Sequence, residues 1–219
     1  MDTQQSNTSQ NEYQPEKTPL YLGLFTENDC SDQFISYILK CLEFAKTTYP
    51  EDEALEATIQ DLKSSDETSS KLQFIHDLHI TSLYVGDDLN NTKKHYFKNF
   101  KEGYQQDTEI VGMVIVPNKI ITAICYPDQS VIQVENKFPH ITVMKGEWAP
   151  KFSNDVCNTL FGPQGPLEKE YSDKQLITAN DFLHKIPVEI SEGSGTAYIV
   201  KVSPTLNPKL VAKPAYVHT

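Results

Sequence analysis

A tripeptide occurs twice in this chain, as His79-Ile80-Thr81 and as His140-Ile141-Thr142, and each copy leads into an apolar, strand-like run. In a β-strand, residues i and i+2 point to the same face, so each copy presents an imidazole beside a hydroxyl. A histidine that only lines a core strand is the alternative interpretation of such a short motif. The duplication, the matched strand context and a trailing Gly in both copies favour a functional site.

The chemistry that fits this set is attack on a phosphodiester without a metal. A water must lose a proton as it attacks phosphorus while the departing oxygen gains one, and two imidazoles can divide these tasks. Hydroxyl groups beside them can hold the phosphate oxygens. In-line displacement requires the two imidazoles to face each other across a cleft. We therefore predict His79 and His140 as catalytic, Thr81 and Thr142 as phosphate-binding, and no metal or cofactor.

The flanking residues carry a family resemblance. Leu78 precedes the first copy and Phe138-Pro139 the second, and the two histidines lie about sixty residues apart. This arrangement resembles the 2H phosphoesterase superfamily, whose signature is two strands of the form His-apolar-Thr/Ser-apolar. The closest likeness is to its eukaryotic branch, which contains the 2′,3′-cyclic nucleotide 3′-phosphodiesterases and the cyclic phosphodiesterase domain of fungal RNA ligases. It covers residues 70–150 and, by order of elements, residues 18–202.

The resemblance implies an α+β fold of two lobes, with antiparallel sheets facing a central cleft and helices outside. It also implies hydrolysis of a 2′,3′-cyclic phosphate at an RNA end or on a cyclic nucleotide, with a 2′-phosphate left on the product. The family suggests His140 as base and His79 as acid, whereas the residues alone leave this choice open. A different ester, such as a 2′,5′ linkage or a nucleotide sugar, also stays open.

The charge of the chain argues against a long RNA footprint. Its nineteen basic residues are all Lys, against thirty acids, and Arg is the usual bidentate partner of phosphate. The alternative function is therefore a non-catalytic binding or structural subunit of a larger assembly. A protein partner could meet the acidic first third of the chain, the tails, or a lysine strip, which consists of Lys93, Lys94, Lys98 and Lys101. The competing interpretation of this strip is an amphipathic helix with its aromatics buried.

Two aromatic residues lie just beyond the tripeptides. Tyr84 and Trp148 are candidates for stacking a base, since stacking tolerates any base identity. The alternative is that they belong to the core or its rim. Four Cys without a CxxC pair predict buried thiols, and His76 with His79 is too small a set for zinc.

The order of elements predicts three regions: a disordered tail over residues 1–17, a 2H phosphoesterase-like domain over 18–202 and a C-terminal tail over 203–219. Within the domain we predict two helices before residue 64, a strand over 73–85, a hairpin around Pro117-Asn118 and a strand over 131–134. A Gly193-Ser194-Gly195 turn should join two late strands. No apolar stretch is long enough to span a membrane and the N-terminus lacks the features of a signal peptide, so we expect a cytoplasmic or nuclear location.

Overall fold

A computed structural model describes residues 12–64 and 70–216 of the chain. The strands are β1 (Tyr21–Thr26), β2 (Gln73–Phe74), β3 (His79–Tyr84), β4 (Gln105–Asp107), β5 (Ile110–Val116), β6 (Ile120–Cys125), β7 (His140–Lys145), β8 (Phe182–Ile190), β9 (Gly193–Lys201) and β10 (Lys209–Ala215). The helices are α1 (Ser31–Thr48), α2 (Glu53–Lys63), α3 (His95–Lys98), α4 (Ser153–Phe161), α5 (Glu168–Ser172) and α6 (Gln175–Thr178). Two 3-10 turns cover Leu89–Lys93 and Pro150–Phe152.

The strands form one antiparallel sheet in the order β4-β10-β1-β3-β7-β6-β5-β9-β8, with β2 paired to β7. In the middle of the sheet, β3 and β7 share a single residue pair, Ile80 with Ile141. A part of four strands (β4, β10, β1 and β3) and a part of six strands (β7, β6, β5, β9 and β8, with β2 beside β7) therefore meet at this point. The prediction of an α+β fold with antiparallel strands and outer helices is confirmed.

Two hydrophobic clusters hold the sheet between its helices. On β5, Met113 and Ile115 belong to the cluster that includes α1 and α2, whereas Val114 and Val116 belong to the cluster that includes α4. This alternation is the period-two pattern of a strand buried on both faces. Because α4 and α6 pack on β5, β6 and β8, they cover one face in the six-strand part of the sheet.

The two long helices form for reasons that are visible in the sequence. Helix α1 buries Phe34, Ile38 and Leu42, which recur at helical spacing. Helix α2 begins after Asp52, whose carboxylate accepts hydrogen bonds from the backbone N–H groups of Ala54 and Leu55. Along the described residues, no helix is both long and apolar enough to cross a bilayer.

The predicted strand over residues 131–134 is wrong. Ile132 and Val134 are buried, which produced the alternating pattern, but the segment pairs with no strand of the described chain. Its backbone is held instead by Ser82, whose hydroxyl donates to the carbonyl of Gln133 and whose own carbonyl accepts from Glu135 N–H. Burial against a strand can thus imitate strand periodicity without ladder hydrogen bonds.

The C-terminal region also differs from its prediction as a tail. Strand β10 lies inside the sheet between β4 and β1, with Leu210 and Ala212 fully buried. The prolines suggested a tail, yet Pro214 pairs with β1 beyond the point where β4 ends, so it interrupts no ladder on that side. The predicted boundary at residue 202 is therefore too early.

Several other predicted elements differ in detail. The strand over 73–85 is divided into β2 and β3, and the turn between the late strands β8 and β9 precedes Gly193 rather than following it. The lysine strip begins at the end of a 3-10 turn, continues through the one-turn helix α3 and ends in the residues after it, with Phe97 and Phe100 buried. Two of its lysines form ion pairs, Lys94 with Glu135 and Lys98 with Glu12. Its role toward a partner stays a prediction.

The predicted N-terminal tail lies partly outside the described residues, which begin at residue 12. Within the described part, Tyr13 packs against the rings of Phe97 and Phe100, and its N–H donates to the carbonyl of Lys98. Residues 12–17 are therefore attached to the domain at Tyr13.

Candidate active site

The two His-Ile-Thr tripeptides, called HxT from here on, lie side by side where the two parts of the sheet meet. Ile80 pairs with Ile141, so the antiparallel register places His79 beside Thr142 and Thr81 beside His140. The side chains of both isoleucines are buried in the core below, and all four polar side chains therefore point to the opposite face. The structure thus brings together the four residues that the sequence singled out.

Both imidazoles are oriented in the same way by their own strands. Nδ1 of His79 lies 2.7 Å from the carbonyl oxygen of Asp77, and Nδ1 of His140 lies 2.7 Å from that of Phe138. A carbonyl can only accept, so Nδ1 carries a proton in each ring. Nε2 is then the nitrogen that can gain or lose a proton.

Burial lowers the pKa of both histidines below the usual value for imidazole. For His79 the hydrogen bond to the Asp77 carbonyl and the charge of Asp77 oppose this effect. For His140 burial is again the largest cause, the hydrogen bond to Phe138 opposes it, and the charge of His79 lowers the pKa further. The two rings therefore act on each other electrostatically, as two groups in one site do.

Ser153, the first residue of α4, is a member of this site that the sequence analysis missed. Its Oγ lies 2.8 Å from Nε2 of His140, accepts a hydrogen bond from Thr142 Oγ1 at 2.9 Å, and donates to the carbonyl of Pro150 at 2.7 Å. It is 1 % exposed. Nothing in the local sequence marked this serine, because α4 reaches the tripeptide only through the tertiary fold.

The environment of His79 is aromatic and more open. Its ring stacks on Tyr21 and Phe25 of β1, with centroids 4.8 Å and 4.9 Å away. Gly23 lies between these two residues, and a methyl group at its Cα would come within 3.0 Å of the Phe25 ring. Within the described chain, Nε2 of His79 has no hydrogen-bond partner. The two histidines thus share an orientation but differ at the reactive nitrogen.

Each HxT strand contains one extra residue directly after its threonine. Opposite β1, residue Ser82 of β3 has no partner, and opposite β6, residue Val143 of β7 has none. Such a bulge reverses which face the following residues point to. Tyr84 is consequently the register partner of Tyr21 and lies on the same face as His79, where it is 60 % exposed.

The two predicted stacking residues have opposite positions. Tyr84 is accessible on the HxT face, so its role in stacking a base stays a prediction. Trp148 is 2 % exposed and belongs to the hydrophobic cluster under α4, with the ammonium of Lys119 4.9 Å from its ring. The stacking prediction for Trp148 is wrong, because no base can reach a ring that the core covers.

The described residues contain no group of three or more His, Cys, Asp or Glu side chains that could hold a metal ion. The four cysteines are buried and unpaired, as predicted.

No family model and no curated protein sequence matches the chain. Among solved structures, it is similar to one titled as a fungal RNA kinase, with 16 % sequence identity and a TM-score of 0.46. The likeness covers 93 % of this chain and 47 % of the kinase chain, so this chain spans about half the length of that structure.

Proposed function

We propose that this chain is a metal-independent phosphodiesterase that hydrolyses 2′,3′-cyclic phosphates, at RNA ends or on cyclic nucleotides, and leaves a 2′-phosphate. The observation that carries the proposal is the register of β3 and β7, which places two His–Thr pairs on one face with His79 beside Thr142. The substrate class and the product come from the resemblance to the 2H phosphoesterases.

In the proposed reaction a water attacks phosphorus and the bond from phosphorus to the 3′ oxygen breaks. The water's proton passes to His140 as the base, and His79 gives the proton on Nε2 to the departing 3′ oxygen. Thr81 donates a hydrogen bond to a non-bridging oxygen, where negative charge increases in the transition state, and Thr142, whose hydroxyl donates to Ser153, lies beside the attacking water. Tyr84, exposed on the same face, is available to stack the base.

The test is turnover of 2′,3′-cyclic AMP and of an oligonucleotide with a cyclic phosphate end. We expect hydrolysis that survives EDTA, with a 2′-phosphate product. His79→Ala and His140→Ala should each lower kcat by at least about a hundredfold, the upper part of the range for general acid–base catalysis. His95→Ala is the matched control, because the His95 side chain is exposed and shares no hydrogen bond with the four residues of the site.

Loss of activity on chelation would contradict the metal-independent mechanism. If neither ester is hydrolysed, the result favours the alternative, a binding or structural subunit that retains the same side chains.

A further inference from the structure

The base of the proposed reaction has no open nitrogen in this structure. Nδ1 of His140 is hydrogen-bonded to the Phe138 carbonyl, Nε2 is hydrogen-bonded to Ser153 Oγ, and the residue is only 7 % exposed. Thr142 Oγ1, by contrast, is half-buried on the HxT face and bonded to the same Ser153 oxygen. The hydroxyls of Thr142 and Ser153 therefore connect the accessible face to the buried imidazole.

We propose that Ser153 is a positioning residue that carries the proton from Thr142 to Nε2 of His140. This inference rests on the proposed function. In the step, the attacking water gives its proton to Thr142 Oγ1 as its oxygen bonds to phosphorus. Thr142 gives its own proton to Ser153 Oγ, and Ser153 gives its proton to Nε2 of His140. Each hydroxyl gains one proton and loses one, and His140 ends as the imidazolium.

The hydrogen bonds of Ser153 fit the protonated state of His140, after the proton transfer, better than the neutral state before it. Ser153 has one proton and two acceptors beside it, the carbonyl of Pro150 at 2.7 Å and Nε2 of neutral His140 at 2.8 Å. Only one of them can receive the proton at a time. Once His140 is protonated, its N–H donates to Ser153, and Ser153 donates to Pro150. Every group then has a partner, so Ser153 stabilises the charged form of a buried histidine.

The position of Ser153 makes this contact rigid. It follows the 3-10 turn Pro150–Phe152 and begins α4, and its side chain is fully enclosed. The N-terminal end of a helix carries partial positive charge, which disfavours a nearby imidazolium. A hydroxyl that accepts from the ring offsets part of that cost.

The experiment compares Ser153→Ala with Ser153→Thr and a matched control, Ser172→Ala, whose serine is exposed on α5. With adenosine 2′,3′-cyclic phosphate, Ser153→Ala should lower kcat by about tenfold or more, with KM changed less than twofold, since a hydrogen-bonded proton path is lost. Its kcat–pH profile should move to lower pH on the acid side, because the imidazolium of His140 loses an acceptor. Ser153→Thr retains a hydroxyl and should restore most of kcat.

Titration of the His140 ring by NMR is the second measurement, and it needs no turnover. A lower pKa of His140 in Ser153→Ala than in the native chain supports the contact, and an unchanged pKa overturns it. If the native chain is active and Ser153→Ala keeps full kcat with the same pH profile, the proton path is wrong while the phosphodiesterase stands. If the native chain has no activity on cyclic phosphates, the proposed function fails and the relay fails with it.

Discussion

Two imidazoles with the same orientation have different neighbours in this site, and that difference supports the proposed division of their roles. His79 lies against the rings of Tyr21 and Phe25 with Nε2 free, whereas His140 is enclosed and linked to Ser153. An acid that must reach a leaving oxygen needs an open nitrogen, and a base that keeps a proton needs acceptors around it. The contacts therefore support His79 as acid and His140 as base.

The pH dependence of kcat/KM follows from the direction of both shifts. Burial lowers the pKa of His79 and of His140 below 6.5. The base must be neutral, so activity rises as pH increases through the pKa of His140, and the acid must be protonated, so activity falls above the pKa of His79. We expect a bell-shaped profile with its maximum on the acidic side of about pH 6.5. A profile that still rises at about pH 8 would contradict this assignment.

Gly23 controls how His79 is held. In Gly23→Ala the added methyl would lie 3.0 Å from Phe25 Cε2, 3.2 Å from the Ile80 carbonyl and 3.5 Å from His79 Cδ2. The Phe25 ring must then move, and the stack on His79 moves with it. We expect a loss of about 1–3 kcal/mol in the free energy of unfolding, the usual cost of overpacking, and a kcat at least about tenfold lower. Chemical denaturation and steady-state kinetics measure the two effects, and unchanged kinetics would show that the stack is dispensable.

At the scale of elements, the bulges after Thr81 and Thr142 determine what each HxT strand presents. Without them β3 would direct Tyr84 away from His79, because the two residues are an odd number of positions apart. The extra residue Ser82 returns Tyr84 to the HxT face. The Ser82 hydroxyl donates a hydrogen bond to the carbonyl of Gln133, and this contact stabilises the bulge.

Asp52 connects α2 to the late strands β8 and β9. From its contacts we expect the stability of the protein to depend on pH. Burial, which alone would raise the pKa of its carboxyl, is outweighed by hydrogen bonds from Lys185 of β8 and Tyr198 of β9, so the pKa lies below the ordinary value. A lowered folded-state pKa stabilises the protein above the unfolded pKa of about 3.9, and this stabilisation is lost as pH falls through the folded value. Asp52→Asn keeps a helix cap but removes the charge, and should cost about 1–2 kcal/mol at neutral pH.

Urea unfolding checks this prediction. The difference between the native chain and Asp52→Asn should shrink as the pH is lowered below about 4. Asp87→Asn is the control, since Asp87 is exposed. A difference that is constant with pH would mean that the carboxylate contributes only as a cap.

At the scale of the whole molecule, the site depends on chain segments from both ends. Strand β10 pairs with β1 along Tyr21–Thr26, and β1 in turn supplies the aromatic rings beside His79. The C-terminal region therefore supports the site although it contributes none of the four HxT side chains.

A chain that ends at residue 202 tests this dependence. Removing β10 exposes one edge of β1 and deletes the fully buried Leu210 and Ala212, and a buried Leu alone contributes about 1.5–3 kcal/mol. We expect the shortened chain to lose cooperative thermal unfolding or to unfold at a temperature at least about 10 °C lower, measured by calorimetry. A control chain that ends at residue 216 should unfold like the full chain. If the chain ending at 202 behaves the same way, β10 is not needed for the fold.

The four candidate HxT residues, the α+β class, α1 and α2, and the hairpin of β5 and β6 were all predictable from the sequence. These depend on local rules: strand alternation, helical spacing, and a turn at Asn118, which has φ +61°. The tertiary structure alone decided the partnership of Ser153 with His140, the face of Tyr84, the burial of Trp148 and the place of β10 in the sheet. Each of these depends on contacts between segments far apart in the chain, and local periodicity carries no information about which strand pairs with which or where a bulge changes the register.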